Sequence, residues 1–68
     1  MVERFVVESP LGFVVGLNVY NEVVLHSPKK LHAKVFLNRS LAENFVANYA
    51  GRGMGLPGNV VYHNVGGA

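Results

Sequence analysis

The sequence predicts an α+β fold in which one amphipathic helix packs on one face of an antiparallel β-sheet, in the order β-β-β-β-α-β. Three observations predict it. Short runs rich in valine, phenylalanine and tyrosine recur between clusters of Gly, Pro and Asn, which is strand composition punctuated by turn chemistry. A single stretch, residues 40–50, carries apolar side chains at helical spacing. The links between the leading runs are too short for parallel crossovers, so successive strands reverse direction.

Residues 2–8 form the first expected strand, and Ser9-Pro10-Leu11-Gly12 turns the chain. Residues 13–17 form the second. Asn18 and Asn21 tolerate left-handed turn geometry, and residues 23–26 supply a third strand that completes a meander. Pro28 stops it, because proline has no amide to give to a ladder. Residues 29–32 allow one helical turn, and the apolar run at 34–37 reads as a fourth strand near a sheet edge, guarded by the charge of Lys34.

The helix has the plainest signature. Ser40 followed by Glu43 is the pattern of a capping box; Leu41, Ala42, Phe45, Val46, Tyr49 and Ala50 share one face, and Gly51 suits a left-handed C-terminal cap. About eleven residues of helix are too few to persist alone, so this helix must dock on the sheet. Residues 51–58 hold four glycines and form a loop, residues 59–65 return to strand composition, and residues 66–68 are a frayed tail. Phe5, Phe13, Phe36 and Phe45 read as core.

Composition bounds the functions. Sixty-eight residues allow a single domain, 1–68, with a thin core. No cysteine is present, so no disulfide can staple it, and three histidines without Cys or Asp offer no recognisable zinc site; neither metal nor cofactor is expected. Half the residues are hydrophobic and 15% are charged, which excludes a disordered chain. The net charge is +2, far fewer cations than a dedicated DNA-binding domain brings to one face. No apolar run is long enough to cross a membrane, and the N-terminal stretch carries two glutamates where a signal peptide carries basic residues, so a cytoplasmic location is expected, that of the host if the protein is viral.

Catalytic chemistry is poorly supplied. No nucleophile-elbow pattern surrounds Ser9, Ser27 or Ser40, each of which has a structural task as a turn or cap residue. His26, His32 and His63 would meet only if the third and last strands were neighbours, and solvated histidines near strand ends are the plainer reading. The chain is therefore expected not to be an enzyme. The glycine loop, Gly51-Arg52-Gly53-Met54-Gly55, is neither a Walker loop nor a dinucleotide fingerprint. It reads first as a connection and second as a contact point for a partner.

Segment Leu31-His32-Ala33-Lys34-Val35-Phe36, with Ser40-Leu41-Ala42-Glu43-Asn44-Phe45 after it, resembles a stretch of small phage-encoded or phage-like bacterial proteins in which an Ala-x-x-Phe strand precedes an Ala-Glu-x-Phe helix. Gly12-Phe13-Val14-Val15 is similar to the aromatic strand of their leading meander, and the likeness spans residues 5–50. The resemblance implies an α+β architecture and an accessory role, and no activity.

Two surfaces are expected to matter. Lys29, Lys30, Lys34 and Arg39, with Arg52 beyond the helix, would form a basic patch for nucleic acid or an acidic protein if they shared a side; ordinary solvated charges are the bland alternative. Tyr20 and Met54 complete the set of candidate partner-binding residues. The apolar excess points further. Thirteen valines, with Phe13-Val14-Val15 and Val23-Val24-Leu25 apolar on both strand faces, exceed what one sheet face and one helix can hide. The expected function is thus a small non-catalytic interaction module, a phage-type accessory or inhibitor protein by the resemblance, whose partner is another protein or a second copy in a homodimer; nucleic acid is the alternative.

Overall fold

In a computed structural model, which describes residues 3–66, the chain forms a four-stranded antiparallel sheet with one helix on it. Strand β1 (Phe5–Ser9) turns through Pro10 and Leu11 into β2 (Gly12–Leu17), and β3 (Val24–Ser27) follows after a loop. A 3-10 turn (Lys30–His32), the helix α1 (Arg39–Tyr49) and β4 (Val61–Asn64) complete the chain. The spatial order is β3-β2-β1-β4, so the last strand returns to lie antiparallel beside the first. The expected beginning of β1 at residue 2 and the end of the tail at residues 67–68 lie outside the described residues.

Turn chemistry fixes the meander. The Ser9 hydroxyl accepts from the Leu11 amide at 3.1 Å and donates to the Gly12 carbonyl at 3.2 Å, pinning the first hairpin from inside. Asn18 Oδ1 accepts from the amides of Glu22 (2.8 Å) and Val23 (3.3 Å), and Asn21 takes φ 56°, the left-handed geometry asparagine tolerates. Between Val14 and Gly16 the register of β2 on β3 slips, a bulge of the kind that bends a strand, and the pairing of β2 with β1 ends beside it at Phe13.

That early end of the pairing corrects one expectation. Residues 34–37 are not an edge strand. β1 and β2 pair only next to their turn, and the chain from Ala33 to Phe36 is wedged into the notch that opens beyond it. The Lys34 amide donates to the Val14 carbonyl at 2.8 Å, and Phe36 exchanges two bonds with Phe5, at 2.9 and 2.8 Å. Lying between two strands, the segment satisfies backbone groups on both sides instead of extending a ladder.

The helix start is a second correction. Asn38, in extended geometry (φ −155°, ψ 172°), is the N-cap, and its Oδ1 accepts from the Leu41 amide at 2.9 Å. Ser40 lies inside the first turn. Glu43 serves no capping box; it pairs with Arg39 one turn back at 3.2 Å. Starting two residues earlier lets the helix gain this i,i+4 pair at no loss of capping, since Asn caps as well as Ser. Gly51 takes φ 70° directly after the helix, as expected of a left-handed cap.

The core lies between the helix and one sheet face. Phe5, Val7, Val14, Val24, Phe36, Ala42, Val46 and Leu56 form it, with Phe45, Tyr49 and Tyr62 packed at its margin. Phe36, Phe45 and Tyr49 stack in sequence, with ring centroids 5.4 and 4.8 Å apart. Leu41, assigned to the apolar face, stays largely in water at the helix margin. Phe13 is also outside the core: it sits on the opposite sheet face, its ring 6.0 Å from that of His63. The glycine loop is more than a link, because it drives Leu56 into the core and its Met54 carbonyl accepts from the Val24 amide at 2.8 Å.

Candidate functional site

Strand alternation decides which side chains the helix leaves uncovered. Phe5 and Val7 of β1 point to the core, so Val6 and Glu8 point to the other face. Register adds their partners: His63 lies opposite Val6, and Phe13 and Val61 lie opposite Glu8. His63 Nε2 and Glu8 Oε1 are 2.8 Å apart, a half-exposed pair laid diagonally across this face.

The wedge segment borders the same face. Its alternation sends Phe36 into the core and turns Ala33 and Val35 outward, where they meet Leu31, Val6 and Val65 around an open groove of about 520 Å³. Lys30 is the one charged side chain lining it. Val6 is shielded at the bottom, 2% exposed, but Leu31 is 91% exposed and Val35 53%. Leu25 and Val61 add further apolar surface in water. The accessible surface of 4391 Å² is close to the ~4,200 Å² that size scaling gives, so this exposure comes from composition and not from a loose fold.

The candidate partner-binding residues do not converge. Lys29 and Lys30 sit at the 3-10 turn, and Lys30 faces the groove. Lys34 points the other way, its ammonium 5.6 Å from the centre of the Phe36 ring. Arg39 is matched by Glu43 and lies 5.0 Å over the ring of Tyr62. Arg52 is exposed on the glycine loop, whereas Met54 beside it is partly buried against the core. Tyr20 is exposed in the β2–β3 loop. The sequence reading did not single out Leu31, Val35, Val61 or Val65; the signal available was the alternation of Leu31, Ala33 and Val35 in front of the helix.

The histidines do not converge either. β3 and β4 are the two edges of the sheet, so His26 and His63 are three strand spacings apart, about 14 Å. His32 Nδ1 lies 3.2 Å from the Ser27 hydroxyl, which already accepts from the Lys29 amide at 3.2 Å as a turn residue. His26 Nε2 is buried without a hydrogen-bond partner among the described residues. Among those residues no group of three His, Cys, Asp or Glu is placed to hold a metal ion. Tyr62 has its hydroxyl pKa raised, chiefly by burial and further by the Glu43 carboxylate, against the lowering influence of Arg39. No helix among the described residues is long and apolar enough to cross a membrane.

Comparison of the chain with protein-family models, with curated proteins and with solved structures found no match.

Proposed function

We propose that this chain is a small non-catalytic protein-interaction module that binds through the sheet face its own helix leaves uncovered. The observation that carries the reading is the outward set of Leu31, Val35 and Val65 around the Val6 groove, an apolar surface of the kind that marks a contact site. The resemblance to phage-type accessory proteins makes a host or viral protein the partner class. The non-catalytic reading is supported by the hydrogen bonds of the described residues, among which the Ser27–His32 contact has no carboxylate behind it and the His63–Glu8 pair no hydroxyl beside it.

Paired affinity captures from the cell of origin test it, with the wild type against Leu31→Lys combined with Val35→Lys. Burying each side chain contributes about 2 kcal/mol, about 4 kcal/mol for the two, so the double variant should bind a captured protein roughly 700-fold more weakly while keeping its far-ultraviolet circular dichroism. A partner retained at full affinity by the folded double variant would overturn the reading.

A further inference from the structure

We propose that the outer edge of β4 pairs with the same edge of a second copy, joining two four-stranded sheets into one of eight strands. The inference rests on the interaction reading above and names a partner, the chain itself, at the β4 edge, which adjoins the groove and shares Val65 with it.

The backbone shows which groups are available. In an antiparallel pair, successive residues turn their N–H and C=O alternately toward and away from the neighbour. The Val65 amide donates to the Arg4 carbonyl at 2.7 Å, while both backbone groups of Phe5 are taken by Phe36 on the far side of β1. Against the register Phe5–Asn64, Val6–His63 and Val7–Tyr62, this means that His63 and Val65 turn inward to β1 and that Tyr62 and Asn64 turn outward. No backbone partner for the outward groups of Tyr62 and Asn64 is present among the described residues.

Exposed edges in monomeric proteins are normally guarded by charge, proline, a bulge or a covering segment. The β3 edge is covered at its start: the Val24 amide is occupied by the Met54 carbonyl, and Gly55 of the glycine loop packs beside Val23 and Val24. β4 has none of these devices. It is regular, contains no proline, and from Gly53 to the end the chain has no Lys, Arg, Asp or Glu. The charged groups beside this edge are matched within the chain: the Arg39 guanidinium over the Tyr62 ring pairs with Glu43, and His63, which this edge would set against the partner's His63, is held by Glu8.

The register follows from using only strand residues. Tyr62 then exchanges two bonds with Asn64 of the partner subunit, and by the two-fold axis Asn64 does the same with the partner's Tyr62. On the uncovered face, the same register sets Val61, 54% exposed, against Val65 of the partner subunit, 37% exposed, twice over.

Light scattering over a concentration series, with amide hydrogen exchange, tests the proposal. The mass should rise from 7.4 kDa toward twice that value, and protection of the Tyr62 and Asn64 amides should rise with it. Asn64→Pro removes an outward donor and leaves the β1 ladder intact, and Val61→Lys puts a charge against the facing valine; both should be folded monomers, whereas Asn64→Ala should still dimerise. A wild type that stays monomeric, a dimer whose Tyr62 and Asn64 amides remain unprotected, or folded Asn64→Pro that still dimerises would overturn it. If Asn64→Pro loses its native circular dichroism, Val61→Lys and exchange in the wild type decide. A monomer that still captures a protein through Leu31 and Val35 would sink the edge pairing alone and leave the proposed function standing.

Discussion

Gly12 shows how one residue can carry a whole hairpin. It takes φ 124°, and a Cβ built there would meet the Ser27 carbonyl oxygen at 2.8 Å, a backbone atom of β3 that cannot swing aside. Gly53 differs, since its φ is also positive, at 74°, but nothing lies within 4 Å of the added carbon. Gly12→Ala should therefore cost the strained backbone, about 1–3 kcal/mol, and a clash besides, while Gly53→Ala should cost only the left-handed penalty of about 1–2 kcal/mol. Parallel urea denaturations measure both, and equal losses would show that the β2–β3 approach is not tight. The turn roles of Ser9, Asn18 and Asn21 were legible because they are local: the side chain bonds the backbone a few residues away. Phe13 was not, because its composition suits either sheet face and only the register of β2 against β1 sends it away from the core.

At the scale of elements, the helix is the most legible part, since its apolar period and its C-terminal glycine depend on near neighbours alone. Its first residue was misplaced because two good caps, Asn38 and Ser40, stand two positions apart, and the Arg39–Glu43 pair favours the earlier one. Asn38→Ala should accordingly lower stability by about 1 kcal/mol, whereas Ser40→Ala, a change to a better helix former inside the first turn, should leave it unchanged or slightly raised. Thermal melts of the two variants check this, and the reverse order would restore Ser40 as the cap. Residues 34–37 have strand composition for a sound reason, because Phe36 must be buried and Val35 must face outward. What makes them a wedge is that β1 and β2 stop pairing beyond Phe13 and leave Phe5 and Val14 free to bond the segment, which nothing in the segment itself encodes.

For the molecule as a whole, the arrangement of charge bears on the nucleic-acid alternative. Lys30 and Lys34 face opposite sides of the wedge, and Arg39 is matched by Glu43, so the basic residues present no single track to a phosphate backbone. Gel retardation with single- and double-stranded DNA at about 50 mM salt should show no shift; a retarded band that fades as salt is added would favour the nucleic-acid alternative over the protein partner. Composition and local periodicity determined by themselves the three leading strands, the helix and the last strand, in that order, and the excess of apolar strand surface, because each of these is written in side chains close in sequence. They did not determine the fate of residues 34–37. Strand order, the wedge between β1 and β2, the separation of the histidines and the placing of β3 and β4 at the sheet edges were decided only by tertiary structure. They depend on pairings between residues some sixty positions apart, such as Phe5 with Asn64, and hydrogen bonds between backbones leave no mark on the identity of the residues that make them.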